Sequence, residues 1–135
     1  MRGRRLATLG GVILVLALAG PPASFAATRT TQPGKNVLVY FVYTAQRLNY
    51  AIYRVGQLGL SDLYIERYVV RGDHATFIVI NRSKRVHTFV FMKKNFTVKP
   101  GRRAHFSRVL VVRGAFPYSS TSDPGAAFKG VFKIF

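Results

Sequence analysis

The chain has 135 residues, with 21 lysines and arginines against four acidic residues, and a formal charge of +17. It contains no cysteine, which excludes disulfides, thiolate metal ligands and cysteine nucleophiles. A charge excess of this size predicts an anionic partner and says nothing about the fold.

The first 26 residues have the order of a secretory signal peptide. Three arginines precede an apolar stretch at 6–19, which is shorter than the roughly 18 to 20 residues needed to span a bilayer. The small residues Ser24 and Ala26 favour cleavage after Ala26. We therefore expect an exported protein, secreted or held in the cell envelope or periplasm, without a transmembrane span after cleavage. The arginine pair leaves both the Sec and the twin-arginine route open.

Cleavage leaves a small basic domain. Residues 1–26 carry three of the 21 basic residues and none of the four acidic ones, so 109 residues remain with a formal charge of +14. Residues 27–35 are polar, rich in turn formers and without periodicity, which predicts a disordered leader. Residues 36–135 have the size of one domain with one core.

From Asn36 onward the apolar residues come in short runs of valine, isoleucine, phenylalanine and tyrosine, which is typical of strands. Turn residues such as Gly72-Asp73 and Pro100-Gly101 separate the runs. The run 77–80 is apolar at every position, which indicates a strand covered on both faces. About seven strands at this spacing predict an all-β Greek-key sandwich. They are predicted near 37–43, 63–70, 75–80, 87–92, 103–112, 116–119 and 131–135.

The segment 44–60 departs from the strand pattern. Its apolar residues recur at three- and four-residue steps, which predicts one short helix capped by Thr44. The alternative is an irregular crossover with a strand at 50–54, and the sequence leaves both open. The apolar residues in question are Ala45, Leu48, Ala51, Ile52 and Val55.

Four motifs follow one another in the second half of the chain, after a strand that reaches Asn81. They are His87-Thr88-Phe89, Val98-Lys99-Pro100-Gly101, Gly114-Ala115-Phe116-Pro117-Tyr118 and Lys129-Gly130-Val131-Phe132. In this order the motifs resemble those of the cupredoxin family. The resemblance implies a cupredoxin-like Greek-key sandwich with a copper site at one end.

The resemblance also implies which positions would hold copper. In the family a thiolate and two imidazoles hold the metal, and usually a weak axial thioether tunes its potential. Here His87 matches the first histidine, but Ser120 stands at the cysteine position and Phe128 at the methionine position. Gly125 is the approximate counterpart of the second histidine, in a shortened loop. A serine hydroxyl does not replace a thiolate at neutral pH, so we expect a domain without a metal cofactor.

His87 has two interpretations. In the first it is a satisfied polar residue that hydrogen-bonds the hydroxyl-rich segment 119–122. In the alternative it binds copper or another metal together with His74 or His105.

Basic residues adjoin the expected site. The resemblance places the loop before His87 and the loop 119–128 at the same end of the sandwich, which gives a cationic rim with aromatic neighbours. The predicted partner-binding residues are Arg82, Lys84, Arg85, His87, Tyr118 and Phe128. The expected partner is an anionic envelope polymer, lipid headgroups or an acidic protein, and export disfavours nucleic acid. A second basic group is expected toward the opposite end and the adjoining edge: Lys93, Lys94, Lys99, Arg102 and Arg103.

The sequence lacks the residue patterns of common enzyme active sites. No nucleophile-elbow pattern, facing pair of carboxylates or phosphate-binding glycine loop is present. The acids are only Asp62, Glu66, Asp73 and Asp123. We therefore expect an exported, non-enzymatic, basic binding module, and the alternative is an unconventional copper-binding protein that uses His87.

Overall fold

The computed structural model describes residues 34–135. The predicted signal peptide and residues 27–33 of the predicted leader lie outside the described residues. The described part forms nine strands and one short 3-10 helix, Ala126–Phe128. The strands are β1 (Asn36–Tyr43), β2 (Leu48–Gly56), β3 (Gly59–Glu66), β4 (His74–Asn81), β5 (His87–Phe91), β6 (Lys94–Val98), β7 (Arg103–Val109), β8 (Gly114–Ser120) and β9 (Gly130–Ile134).

The strands form two sheets. One has the order β3-β2-β1-β4-β7 and the other the order β6-β5-β8-β9. Neighbouring strands are antiparallel except β1 and β4, which are parallel. The chain passes between the sheets at the β4–β5, β6–β7 and β7–β8 connections. The predicted all-β sandwich is therefore confirmed, with nine strands in the described part rather than about seven.

The core lies between the sheets and is built by alternation along the strands. In β1, Val37, Val39, Phe41 and Tyr43 are at most 1% exposed and point inward. Phe41 lies at the centre of an aromatic cluster. The centroid of its ring is 4.8 to 6.4 Å from those of Phe77, Phe89, Phe91, Tyr118 and Phe132. Burial of each such side chain stabilises the fold by about 1.5 to 3 kcal/mol.

The short helix predicted within 44–60 is wrong, and the alternative strand at 50–54 is confirmed as part of β2. Thr44 caps a turn instead, since its hydroxyl oxygen accepts from the backbone N–H groups of Gln46 and Arg47. The segment forms a strand because β2 pairs with β1 along its length and with β3 on its other side. Its backbone groups are thus satisfied by hydrogen bonds to two neighbouring strands.

Two further strand boundaries differ from the sequence prediction. The predicted strand 63–70 is displaced toward the amino terminus as β3, and beyond β3 only Val69 forms a bridge, to Ile134. Strand β6 was not predicted. The turn before it, Met92-Lys93, has φ angles of 49° and 64°, a left-handed geometry that usually calls for asparagine or glycine.

The sandwich has two ends, defined by β4, which runs from His74 to Asn81. At the His74 end, Asp73 is 1% exposed and accepts the backbone N–H groups of Lys35 and Val70, both at 3.0 Å. Lys35 therefore belongs to the sandwich, which corrects the predicted disordered leader at its last residue. Gly72 precedes this aspartate with a φ of +103°.

Within residues 34–135 there is no helix with the length and apolarity needed to cross a membrane.

Candidate functional site

A buried polar cluster lies at the Asn81 end of the sandwich. It consists of Asn81, Ser83, His87, Ser120 and Asp123, each at most 7% exposed. Strand ends place these residues together: β4 ends at Asn81, β5 begins at His87 and β8 ends at Ser120. Asp123 follows in the turn after β8, where its N–H donates to the carbonyl of Ser120.

The carboxylate of Asp123 is the centre of this cluster. Its Oδ2 atom faces His87 Nδ1 at 2.5 Å and accepts from the hydroxyls of Ser120 at 2.5 Å and Ser122 at 3.1 Å. Its Oδ1 atom accepts from the guanidinium of Arg85 at 2.7 Å. Four side chains from three segments therefore converge on one buried carboxylate.

These contacts control the ionisation of Asp123. Burial by itself would raise the pKa, because it disfavours the charged form. Hydrogen bonds from Ser120, His87, Arg85 and Ser122 outweigh burial and lower the pKa of Asp123 from 3.8 to about 2. The carboxylate is thus an anion at neutral pH.

Asn81 fixes the other side of the cluster. Its Nδ2 group donates to the carbonyls of Arg85 and Val98 at 2.7 and 2.8 Å, which leaves Oδ1 facing Ser83. That oxygen accepts the N–H of Ser83 at 2.9 Å and lies 2.7 Å from its hydroxyl. The asparagine thereby holds the loop 82–86 in place.

Both ring nitrogens of His87 are engaged inside the cluster. Nδ1 faces the ionised carboxylate of Asp123 and donates its hydrogen to it. Nε2 lies 2.7 Å from the hydroxyl of Ser83, which in turn lies 2.7 Å from the Oδ1 atom of Asn81. The imidazole is therefore held between Asp123 and Ser83.

Two aromatic rings enclose the imidazole. Tyr43 stacks on His87 with ring centroids 4.1 Å apart and an interplanar angle of 8°. The ring of Phe128 is 5.8 Å from that of His87 at 22°. His87 is 0% exposed as a result.

The hydroxyl of Tyr43 is buried without a hydrogen-bond partner in the described part of the chain. Burial raises the pKa of Tyr43 to about 12, an effect that the nearby Ser120 hydroxyl reduces and the charge of Asp123 increases. Ser120 is close enough to act on this pKa, although the two hydroxyls do not reach hydrogen-bonding geometry. A phenol of this kind stays protonated at neutral pH and does not act as an anionic metal ligand.

The residues present do not fit the copper site that the family resemblance implies. His87 and Ser120, the counterparts of two ligands, both point hydrogen at Asp123 instead of offering lone pairs to a cation. Phe128 stacks where a thioether would stand, and Gly125 supplies no side chain. Within residues 34–135 no group of three or more histidine, cysteine, aspartate or glutamate side chains is arranged to hold a metal ion.

The other two histidines lie apart from His87, which corrects the combined sites considered from the sequence. His74 begins β4 at the opposite end of the sandwich. His105 pairs with Ile78 on the outward side of β7. Strand register therefore separates the three imidazoles.

Ser83, His87 and Asp123 are connected in the order of a hydrolytic triad, which the sequence patterns did not predict. The hydroxyl lies 2.7 Å from Nε2 and the carboxylate 2.5 Å from Nδ1. However, Ser83 is only 7% exposed and its hydroxyl is engaged by Asn81. A nucleophile has to be accessible to its substrate, and the hydroxyl of Ser83 points into the protein.

The predicted partner-binding residues fall into two groups. Arg82, Lys84 and Arg85 are exposed, as a partner surface requires. The aromatic neighbours and the histidine are not on the surface, since His87, Tyr118 and Phe128 are 0%, 7% and 9% exposed. This corrects the predicted aromatic contribution: the three rings are drawn inward by the aromatic core and by the polar cluster.

The second basic group also divides. Lys93 and Lys94 lie beyond β5 at the end opposite His87, as expected. Val98 pairs with His87, and the carbonyl of Arg102 accepts a hydrogen bond from the N–H of Asn81. The other three residues of the group, Lys99, Arg102 and Arg103, therefore lie at the His87 end instead. We define the cationic rim as five of the exposed basic residues at this end: Arg82, Lys84, Arg85, Lys99 and Arg102. Arg103 lines the outward face of the five-stranded sheet and is left out of the rim.

No protein-family model matches the chain, and no curated protein is significantly similar to it. One similar solved structure is that of a mixed disulfide intermediate between a thioredoxin-like protein and subunit II of cytochrome c oxidase. The match has 14% sequence identity, covers 79% of this chain and 87% of that chain, and has a TM-score of 0.48. A TM-score of this size assigns neither a family nor a site to the chain.

Proposed function

We propose that this protein is an exported, non-enzymatic, cupredoxin-like binding module that works without a metal and binds an anionic partner through the cationic rim. The partner is an envelope polymer, lipid headgroups or an acidic protein. The rim occupies the end of the sandwich where the family resemblance implies a metal site. A buried carboxylate and its donors stand at that place.

The observation that carries the proposal is how the four acidic residues are used. Asp123 pairs with Arg85, and Glu66 pairs with Arg54 at 3.0 Å. Asp73 accepts two backbone N–H groups, and Asp62 accepts the backbone N–H of Leu58. Every side-chain carboxylate of residues 34–135 is thus used internally, and the lysine and arginine side chains other than Arg54 and Arg85 have no ion-pair partner within that range.

Arg85 has a different role from the rest of the rim. Its side chain is 56% exposed, but its guanidinium is held by Asp123 and so ties the loop 82–86 to the turn after β8. The neighbouring Lys84 and Lys99 make no such contact within residues 34–135 and supply the free charge. A surface of fixed shape with unpaired cations supports electrostatic docking of a polyanion.

The test is charge reversal at matched ends of the molecule. Lys84→Glu with Lys99→Glu changes the rim, and Lys93→Glu with Lys94→Glu makes the same charge change at the opposite end. Binding of dextran sulfate, polyglutamate and phosphatidylglycerol vesicles is measured at 150 mM salt, about the physiological ionic strength. We expect the rim variant to bind the preferred probe at least tenfold more weakly than the control variant.

His87→Phe completes the design, because it keeps the stacked ring and removes both ring nitrogens. It should leave probe binding unchanged once the variant is shown to be folded. Equal losses of probe binding in the two lysine variants would mean that binding depends on net charge and not on the cationic rim, which would contradict the proposal. Failure of the protein to bind any of the three probes would overturn the proposal.

A further inference from the structure

The outward face of the five-stranded sheet is apolar. In sandwiches of antiparallel strands the outward positions are usually polar. Here β1 turns Leu38, Tyr40 and Val42 outward, and β4 places Ile78 and Ile80 beside them. The run 77–80 within β4 is apolar on both parities, as in a strand covered on both faces, yet within residues 34–135 no third layer of structure lies over this face.

A depression of about 390 Å³ lies on this face. Its lining includes Leu38 and Tyr40 of β1, Ile78 of β4, His105 of β7 and Leu60 of β3. In a flat sheet β3 and β7, which are four strands apart, would be separated by about 19 Å. Since residues of both strands line one depression, the outward face is concave between them.

Two adjoining depressions extend this one along the strands. One shares Tyr40 and Arg103 with it and continues to Val42, Ile80 and Arg82. The other shares Leu38 and continues toward the start of β1. The three together form a trough along β1 and β4, and the stretch from residue 36 to residue 42 is about 20 Å long.

The charge of the trough is one-sided. No acidic residue lines any of the three depressions. Arg82 and Arg103 stand together at one end and form no ion pair within residues 34–135. Arg108 lines the opposite end by itself. The trough therefore has an apolar middle, a pair of arginines at one end and a single arginine at the other.

We propose that the trough binds a single-chain anionic amphiphile, whose apolar chain lies along β1 and β4 and whose acidic head meets Arg82 and Arg103. Leu60 is 74% exposed although it lines the central depression, so an occupant with apolar atoms gives its side chain a partner. A polysaccharide has no apolar chain for this channel, and a second copy of the protein would bring two strongly positive molecules together. This site is separate from the cationic rim except for Arg82, and it stands whether or not the rim binds a polyanion.

The experiment uses laurate, below the concentration at which it forms micelles, as the probe in calorimetry with the purified protein. Dodecyl maltoside has the same chain with an uncharged head, and butyrate has the same head with a short chain. We expect one laurate to bind per molecule, and both comparison compounds to bind at least tenfold more weakly.

Two pairs of exposed residues provide matched variants. Leu60→Asp should weaken laurate binding at least tenfold, while Leu58→Asp should not, because Leu58 is 77% exposed on the same hairpin and does not line the depressions of the trough. Arg103→Glu should weaken binding by a similar factor, and its exposed neighbour Arg102→Glu should not. The rim variant with Lys84→Glu and Lys99→Glu should bind laurate normally, which separates this site from the proposed function.

Equal effects within either pair would overturn the proposal, as would the absence of saturable laurate binding. Light scattering tests the other occupants. A dimer that Leu60→Asp dissociates would assign the face to a second copy. Binding to phosphatidylglycerol vesicles that Leu60→Asp abolishes, without binding of free laurate, would assign it to a bilayer surface.

Discussion

Two buried aspartates stand at opposite ends of the sandwich, and they are satisfied in different ways. Asp73 accepts only backbone N–H groups, from Lys35 and Val70. Asp123 accepts only side-chain donors through its carboxylate, including His87 and Ser120. Both are buried, at 1% and 6% exposure, so the main difference lies in the donors.

The difference separates an end whose carboxylate depends on the backbone from an end whose carboxylate depends on particular side chains. Backbone donors are fixed by the fold. Asp73 therefore connects the start of β1 to the segment before β4 independently of the neighbouring side chains. Side-chain donors are chosen residue by residue. Around Asp123 these residues include His87 and Ser120, which both contact the carboxylate.

The largest expected effect is the loss of folding stability on removal of either carboxylate. Asp123→Ala should lower the free energy of unfolding by about 3 to 5 kcal/mol, because the buried donors of His87 and Ser120 lose the carboxylate that they share. Asp73→Ala should lower it by about 2 to 4 kcal/mol, because two buried backbone N–H groups lose their acceptor. Urea unfolding followed by tyrosine fluorescence measures both.

Double substitution separates the two ends. His87→Phe should cost less in the Asp123→Ala background than alone, with a coupling of about 1.5 to 3 kcal/mol, because the two groups satisfy each other. In the Asp73→Ala background it should cost the same as alone, since the sites are a strand length apart. Additive costs at Asp123 would show that the cluster does not act as one network.

A smaller effect is expected on the pH dependence of stability. The pKa of Asp123 is lowered from 3.8 to about 2, so its contribution is fully present above pH 3.8 and is lost as the pH falls toward 2. A shift of this size corresponds to about 2 kcal/mol. The stability difference between the wild type and Asp123→Asn should therefore shrink by about that amount over this interval, measured by urea unfolding at each pH.

The result would contradict this prediction if the free energies of unfolding of the wild type and Asp123→Asn fell in parallel below pH 4. That result would mean that the native hydrogen bonds do not favour the ionised carboxylate. The Asp73→Asn variant is the matched control, because it alters a buried carboxylate at the other end and leaves the donors of Asp123 in place.

Much of the fold could be predicted from the sequence, because strand composition and turn residues are local signals. β1 was predicted to within one residue, since its valines and aromatic residues alternate between the core and the outward face. β6 was missed because Met92-Lys93 does not have the composition of a hairpin turn. β2 was ambiguous because its apolar spacing satisfies a helix period, and pairing with two neighbours decided the outcome.

The candidate site was only partly predictable. The family resemblance located His87 and Ser120, but it did not reveal that Asp123 occupies the place between them. The aspartate is 36 residues from His87 along the chain, and only the sandwich brings them together. An acid three residues after Ser120, in a shortened loop, is the one local signal that could have pointed to it. The inward position of Tyr118 and Phe128 depends on packing that no local pattern encodes.

The most direct test of the central claim, that His87 and Ser120 serve a buried carboxylate and not a metal ion, is a copper titration. Cu(II) and Cu(I) are titrated separately into the purified protein by calorimetry with absorption spectra, with His87→Phe as the control. The account predicts no His87-dependent binding tighter than micromolar, because both imidazole nitrogens are engaged inside the protein by Asp123 and Ser83. Stoichiometric binding tighter than micromolar that His87→Phe removes would contradict it and return the site to copper chemistry.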